Sequence, residues 1–452
     1  MKLHFIAIGG SAMHNLAIAL HIKGIEISGS DDEIFEPSKS RLAKYGLLPK
    51  NEGWNENNIT KDIDAVILGM HARLDNPELI KAQQMGIKIY SYPEYLYEES
   101  KDKIRIVIGG SHGKTTITSM IIHVFNHLNI DCDYMVGAQL QGFEVMVKLS
   151  HAAKYMIIEG DEYLTSPIDL RPKFHLYEPD IALLSGIAWD HINVFPTFKN
   201  YVEQFNIFVN LITKKGKLIY CDEDPEVVDV AIQSREDIKK FPYSIPTHSI
   251  RNGITYILFK DNEIPLHIFG NHNLMNLNGA RLVCNQAGIS DEDFYKAILS
   301  FQGASKRLEL VKANNVSSIY KDFAHSPSKL KATTTAVKEQ FKDRKLVACM
   351  ELHTFSSLTQ EFLLQYKNCM LAANEAIVYF NPHTIEHKKL ESISVEDVKH
   401  AFNRSDLQVF TDSGLLVEYL QKTNWKHKNL LMMSSGNFDG INLNELADLL
   451  LT

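Results

Sequence analysis

Arg105-Ile106-Val107-Ile108-Gly109-Gly110-Ser111-His112-Gly113-Lys114-Thr115-Thr116 is an apolar run, a glycine turn, and a lysine with two threonines. The pattern ITSMIIHVFNHL at 117–128 follows with helical spacing. Strand, glycine loop and helix in that order are what a phosphate group needs. Glycines let backbone N–H groups wrap its oxygens, and the helix start adds a partial positive charge. Gly110, Ser111, His112, Gly113 and Thr116 would form the cradle, Lys114 would reach the β- and γ-phosphates, and Thr115 would ligate Mg²⁺. The general phosphate-loop pattern has glycine where this chain has Ile108. A tight turn beside an exposed lysine accounts for the same letters.

Outward from this segment, short runs rich in Ile and Val alternate with longer helical patterns, which predicts an α/β fold with parallel sheets. Strand candidates at 3–8, 25–30, 65–69 and 87–91 precede the charged stretch EYLYEESKDK, and a boundary is expected near residue 102. A second series runs from 105–110 through 154–160, 180–187 and 217–221, closing near 301–307. A third uses 318–324, 345–352, 375–380, 407–412 and 429–436. The expected domains are therefore 1–102, 103–307 and 308–452, the outer two Rossmann-like and the central one carrying the phosphate loop.

Composition narrows the class. The chain has 452 residues, 45% hydrophobic and 23% charged, with a formal charge of −8, so several packed domains are expected and no basic footprint for nucleic acid or anionic membrane exists. Five scattered cysteines without a CxxC pair predict buried thiols in a reducing, cytoplasmic setting rather than disulfides or zinc. The opening MKLHFIAIGG runs into a strand pattern, with no signal-peptide core expected, and no run approaches the ~18 apolar residues that span a bilayer.

Two strand ends bear polar groups suited to a nucleotide and its metal. IIEGDEY supplies Glu159, Asp161 and Glu162, and SGIAWDHINVFP supplies Trp189, Asp190 and His191. An acidic cluster alone is equally a solvated turn, and a lone histidine a surface residue. The N-terminal Ala7-Ile8-Gly9-Gly10-Ser11-Ala12-Met13 is a glycine pair after the first strand, open to a sugar-nucleotide diphosphate or a nicotinamide dinucleotide.

Taken in order, these pieces resemble the Mur ligase superfamily, whose phosphate loop is similar to GSHGKTT. The resemblance implies a three-domain ATP-dependent ligase with Mg²⁺ held by Thr115, Glu159 and His191. GNHNLMNLNGA resembles the family's HNxxN element, placing His272, Asn273 and Asn276 near adenine and ribose, although Asn caps a helix start equally well. KRLELV and KDFAHSP resemble later motifs and imply that Arg307, Asp322 and His325 face the phosphates. Gly9, Gly10, Ser11 and Met13, with Asp31, would hold UDP-N-acetylmuramate, and His353 would meet the amine. Lys114, Glu159, His191, Arg307, Asp322 and His325 are the implied catalytic set.

The resemblance further implies an acyl-phosphate route in peptidoglycan metabolism. L-Ala-γ-D-Glu-meso-diaminopimelate is the expected amine and L-alanine the alternative, and the chain is expected to be a monomer or weak homodimer. A lysine that some family members carbamylate has no counterpart at 200–213, whose aromatic residues predict a packing helix instead. Two rivals remain, a nicotinamide oxidoreductase and a nucleotide-binding protein without turnover.

Overall fold

The computed structural model describes residues 1–137, 145–189, 194–304 and 307–451. Parallel pairing dominates it. Lys2–Ile6 pairs on one side with Glu26–Ser30 and on the other with Ala65–Leu68, which pairs with Lys88–Ser91. The helix Ser11–Ile22 buries every residue from Met13 to Leu20.

The second sheet has seven strands, in the order Lys239–Tyr243, Lys217–Cys221, Ile181–Leu184, Ile104–Gly109, Tyr155–Glu159, Cys132–Met135 and Val147–Lys148. All its pairs are parallel except the last. Ile104–Gly109 is central, and Ile106, Val107 and Ile108 are wholly buried, which is why the run is continuously apolar rather than alternating. Register sets Ile108 beside Glu159 and Gly109 beside Leu184. The carboxyl ends of these three strands therefore share one edge, where open α/β sheets present ligands.

A third sheet runs Glu309–Ala313, Ser318–Asp322, Lys428–Met433, Lys345–Glu351, Glu375–Tyr379 and Gln408–Phe410, antiparallel only at its first pair. Two small antiparallel sheets accompany these, Leu164–Ser166 with Asp169–Pro172, and His248–Arg251 with Ile254–Phe259 and Asn262–Leu266. The fold is thus α/β around three mainly parallel sheets.

By compactness the chain divides into two units, Met1–Ser244 with Asn276–Ile298, and Ile245–Met275 with Leu299–Thr452. The first contains two of the large sheets. The helix Asn271–Gln286 carries the chain from one unit into the other. All five cysteines are free and buried. Among the described residues no helix is long and apolar enough to cross a membrane.

The helix Phe198–Asn210 is a packing helix, as its periodicity predicts: Tyr201, Phe205, Phe208 and Val209 are buried. Phe208 stacks on Phe174 with centroids 4.6 Å apart, and Phe205 meets Phe174 edge-on at 5.5 Å. A Cβ on Gly109 would lie 3.1 Å from Phe208 and 3.5 Å from Phe174, so this aromatic layer lies directly beneath the strand that ends in the glycine loop. Phe208→Ala should lower the unfolding free energy by about 3–5 kcal/mol. Chemical denaturation reads this directly, and an unchanged midpoint would show that the layer contributes no packing energy.

Candidate active site

The glycine loop is shaped by two close approaches. Gly110 has φ +128°, and a Cβ there would lie 2.2 Å from Ser185 Oγ. Gly113 has φ +79°, and its Cβ would lie 2.4 Å from Asn276 Oδ1. Neither position admits a side chain. Ser111 is a brace: its N–H donates to the Gly186 carbonyl at 2.9 Å, its hydroxyl shares a hydrogen bond with Tyr201 at 3.0 Å, and its Oγ accepts from Ala188 N–H at 2.8 Å. The His112 ring packs against Gly186, where a Cβ would lie 2.4 Å from its Cε1. The helix Lys114–His127 then begins with no side-chain cap, leaving the positive end of its dipole at the loop. Thr116 is buried one turn in.

Each carboxylate of EGDEY has its own role. Glu162 is only 1% exposed and accepts from Lys114 Nζ at 2.6 Å and Tyr201 OH at 3.1 Å. Glu159 accepts from Thr115 Oγ1 at 2.8 Å and Gly137 N–H at 2.8 Å. Asp161 accepts from Lys173 Nζ at 2.5 Å. Lys114 also donates to the Gly110 carbonyl at 2.6 Å. Burial opposes its charge, but Glu162, Asp161 and Glu159 outweigh that and hold its pKa above the ordinary value. Burial raises the pKa of Glu159, only partly offset by Gly137 N–H, Lys114 and Thr115.

A hydroxyl and a carboxylate in contact, as Thr115 and Glu159 are, form the hard-oxygen pair that suits Mg²⁺, which takes one or two carboxylates and completes its shell from phosphates and water. Among the described residues no group of three His, Cys, Asp or Glu is arranged as a metal site. Asp190 and His191 lie outside the described residues.

The N-terminal glycine pair immediately precedes the helix Ser11–Ile22. Gly9 N–H donates to Asp31 Oδ2 at 2.7 Å, so Asp31 braces this loop from behind. Burial, and the neighbouring Asp32, push Asp31 up to about 6. Gly10, Ser11 and Met13 line a cavity of about 420 Å³ together with Lys114, Glu159 and Lys173. The start of the first helix and the lysine that follows the phosphate loop thus line one hollow.

The remaining candidates divide between the units. Asn276, in the first, lies against Gly113. His272 and Asn273 belong to the second, where Asn273 Nδ2 donates to the Phe269 carbonyl at 3.0 Å and His272 lies beside Gly270. Asp322 there ends a central strand and accepts from Leu308 N–H at 2.6 Å and Ala324 N–H at 2.7 Å. Burial raises its pKa, and Arg307 works against the rise. Arg307 lies over the Phe323 ring at 4.7 Å, and His325 Nδ1 is 2.8 Å from the Phe323 carbonyl. His353 lies 3.5 Å from Glu351. Burial works to raise the Glu351 pKa, but His353, Ser434 and Phe438 N–H hold it below the ordinary value.

Sequence reasoning did not single out Lys173, Tyr201, Gly137 or Glu351. Glu162 was visible within the acidic cluster, but its pairing with Lys114 was not. Lys173 is brought to the site by the hairpin Leu164–Pro172, which leaves no motif.

Two family descriptions match the chain, the Mur ligase family catalytic domain over residues 2–103 and the Mur ligase middle domain over 108–284. A UDP-N-acetylmuramate–L-alanine ligase of Sulfurihydrogenibium sp. strain YO3AOP1 is 32% identical over 80% of this chain and 78% of its own length. One of Carboxydothermus hydrogenoformans is 27% identical over 98% and 95%. Among solved structures, a murein peptide ligase of Psychrobacter arcticus matches with TM-score 0.66 and 22% identity over 100% of this chain and 99% of that one. A UDP-N-acetylmuramate–alanine ligase of Thermotoga maritima matches with TM-score 0.71 and 18% identity over 100% and 98%. These two likenesses bear on the fold. The protein is an ATP-dependent ligase that joins an acid to an amino acid or peptide. It belongs to the Mur ligase family.

Lys114→Ala should reduce ATP turnover by about a hundredfold or more, and should also destabilise the fold by about 3–5 kcal/mol because it leaves Glu162 buried opposite no cation. Lys114→Ala/Glu162→Gln should recover much of the stability and none of the turnover. Recovered turnover in the double variant would remove Lys114 from the reaction.

Proposed function

We propose that this ligase joins the lactyl carboxylate of UDP-N-acetylmuramate to L-alanine, with ATP and Mg²⁺, in the cytoplasmic assembly of peptidoglycan precursors. The observation that carries the reading is a cavity lined both by Gly10 to Met13 at the start of the first helix and by Lys114 and Glu159 beside the phosphate loop. A hollow with a helix start on its lining and a phosphate-loop lysine on the same lining supports a sugar-nucleotide diphosphate and ATP as neighbours. The names of the sequence relatives support L-alanine as the amine over the tripeptide that the family resemblance leads one to expect.

The chain's own groups account for the steps. Gly9, Gly10, Ser11 and Met13 take the sugar-nucleotide diphosphate, with Asp31 holding Gly9 in place. Gly110 to Thr116 take the ATP phosphates, with Lys114 on the terminal pair and His272, Asn273 and Asn276 assigned to adenine and ribose. Thr115 and Glu159, with His191, would hold Mg²⁺, which neutralises phosphate charge. The carboxylate oxygen attacks the γ-phosphorus as the bond to ADP breaks, giving an acyl phosphate. The amine then attacks the acyl carbon and phosphate leaves. Segments 1–102, 103–307 and 308–452 divide these tasks; Arg307 at the end of the second, with Asp322, His325 and His353 of the last, serves the amine and the phosphoryl group. No protein nucleophile is required, so catalysis rests on positioning and charge.

ADP release measured with UDP-N-acetylmuramate and either L-alanine or the tripeptide should depend on the sugar nucleotide and favour L-alanine by at least about tenfold in kcat/KM. Preference for the tripeptide would establish the other amine. Release that ignores the sugar nucleotide would end the proposal.

A further inference from the structure

The cavity holds a second lysine that no motif explains. Lys173 opens the short helix Lys173–Leu176 directly after the strand Asp169–Pro172. Its N–H donates to the Tyr163 carbonyl at 2.9 Å, and the next N–H, of Phe174, donates to the Asp161 carbonyl at 3.1 Å. Phe174 is wholly buried and stacks on Phe208. A Cβ on Gly160 would come within 3.3 Å of it. Two main-chain hydrogen bonds and an aromatic anchor under the phosphate-loop strand therefore fix where this lysine stands, as a precise site requires.

Its ammonium is held as well. Asp161 Oδ2 is 2.5 Å away, and the Tyr163 ring lies below at 5.7 Å. An ammonium has three N–H donors, and Asp161 takes one. The side chain retains 16% exposure and lines the cavity together with Lys114, Gly10 and Ser11. The reaction must bring a carboxylate against a triphosphate, two anions that repel at bonding distance. Lys114 is committed to the phosphate loop and Glu162. Among the described residues Lys173 is the other lysine that lines the cavity.

The geometry points to Lys173 as the residue that binds the acid substrate's carboxylate and aims it at the terminal phosphate, with Asp161 directing the ammonium. This rests on the sugar-nucleotide reading given above. UDP-N-acetylglucosamine carries the same diphosphate and sugar frame without the lactyl carboxylate, so it isolates the contact. Calorimetric titration of the full chain should show Lys173→Met weakening UDP-N-acetylmuramate by about tenfold or more while UDP-N-acetylglucosamine and ATP bind as in the wild type. Lys173→Arg should restore part of the loss. Lys173→Met/Asp161→Asn removes both charges, so it keeps the pocket neutral if the single variant folds poorly, and it should retain the selective loss. Equal weakening of both nucleotides, no weakening, or full recovery in the double variant would overturn the assignment. A wild-type chain that binds ATP but neither sugar nucleotide would instead overturn the substrate reading itself.

Discussion

Everything at the active edge depends on how closely three parallel strand ends can approach one another. Gly110 lies against Ser185 and Gly113 against Asn276 at distances no Cβ tolerates, and the aromatic layer of Phe174, Phe205 and Phe208 fills the space below. The loop is consequently a rigid cradle whose N–H directions are set before any ligand arrives. Preorganisation of this kind is what makes electrostatic stabilisation effective, because no reorganisation is needed at the moment of reaction.

Charge at this edge is partitioned rather than pooled. Three carboxylates within four residues would repel strongly if they shared one environment. Instead Glu159 faces a hydroxyl and a backbone N–H, Asp161 faces Lys173, and Glu162 faces Lys114 and Tyr201. Each pairing fixes a direction as well as a charge. Burial raises the stakes, since a polar network of this sort stabilises only when every member is satisfied.

Much of this was legible beforehand, for identifiable reasons. Central strands are buried on both faces, so Ile106 to Ile108 and Met156 to Ile158 read as unbroken apolar runs, and the glycines between strand and helix have no substitute. Edge strands gave less: Lys239–Tyr243 is half exposed and carries Lys239, Lys240 and Pro242, and the sheet His248–Leu266 alternates without a strong apolar face. Pairings between residues far apart in sequence, such as Tyr201 with Ser111 or Lys173 with Asp161, arise from packing and leave no spacing signature. Local pattern reports local structure, and the second layer of a site is assembled by tertiary contact.

The five cysteines have a practical consequence. Burial pushes the Cys132 thiol up to about 12 and raises the other four as well, and a thiol kept protonated and out of solvent reacts slowly with electrophiles. Cys132, Cys221 and Cys284 belong to one compact unit, Cys349 and Cys369 to the other. Alkylation therefore acts as an intrinsic clock for each half of the chain, silent while the native packing holds and started separately when either half opens.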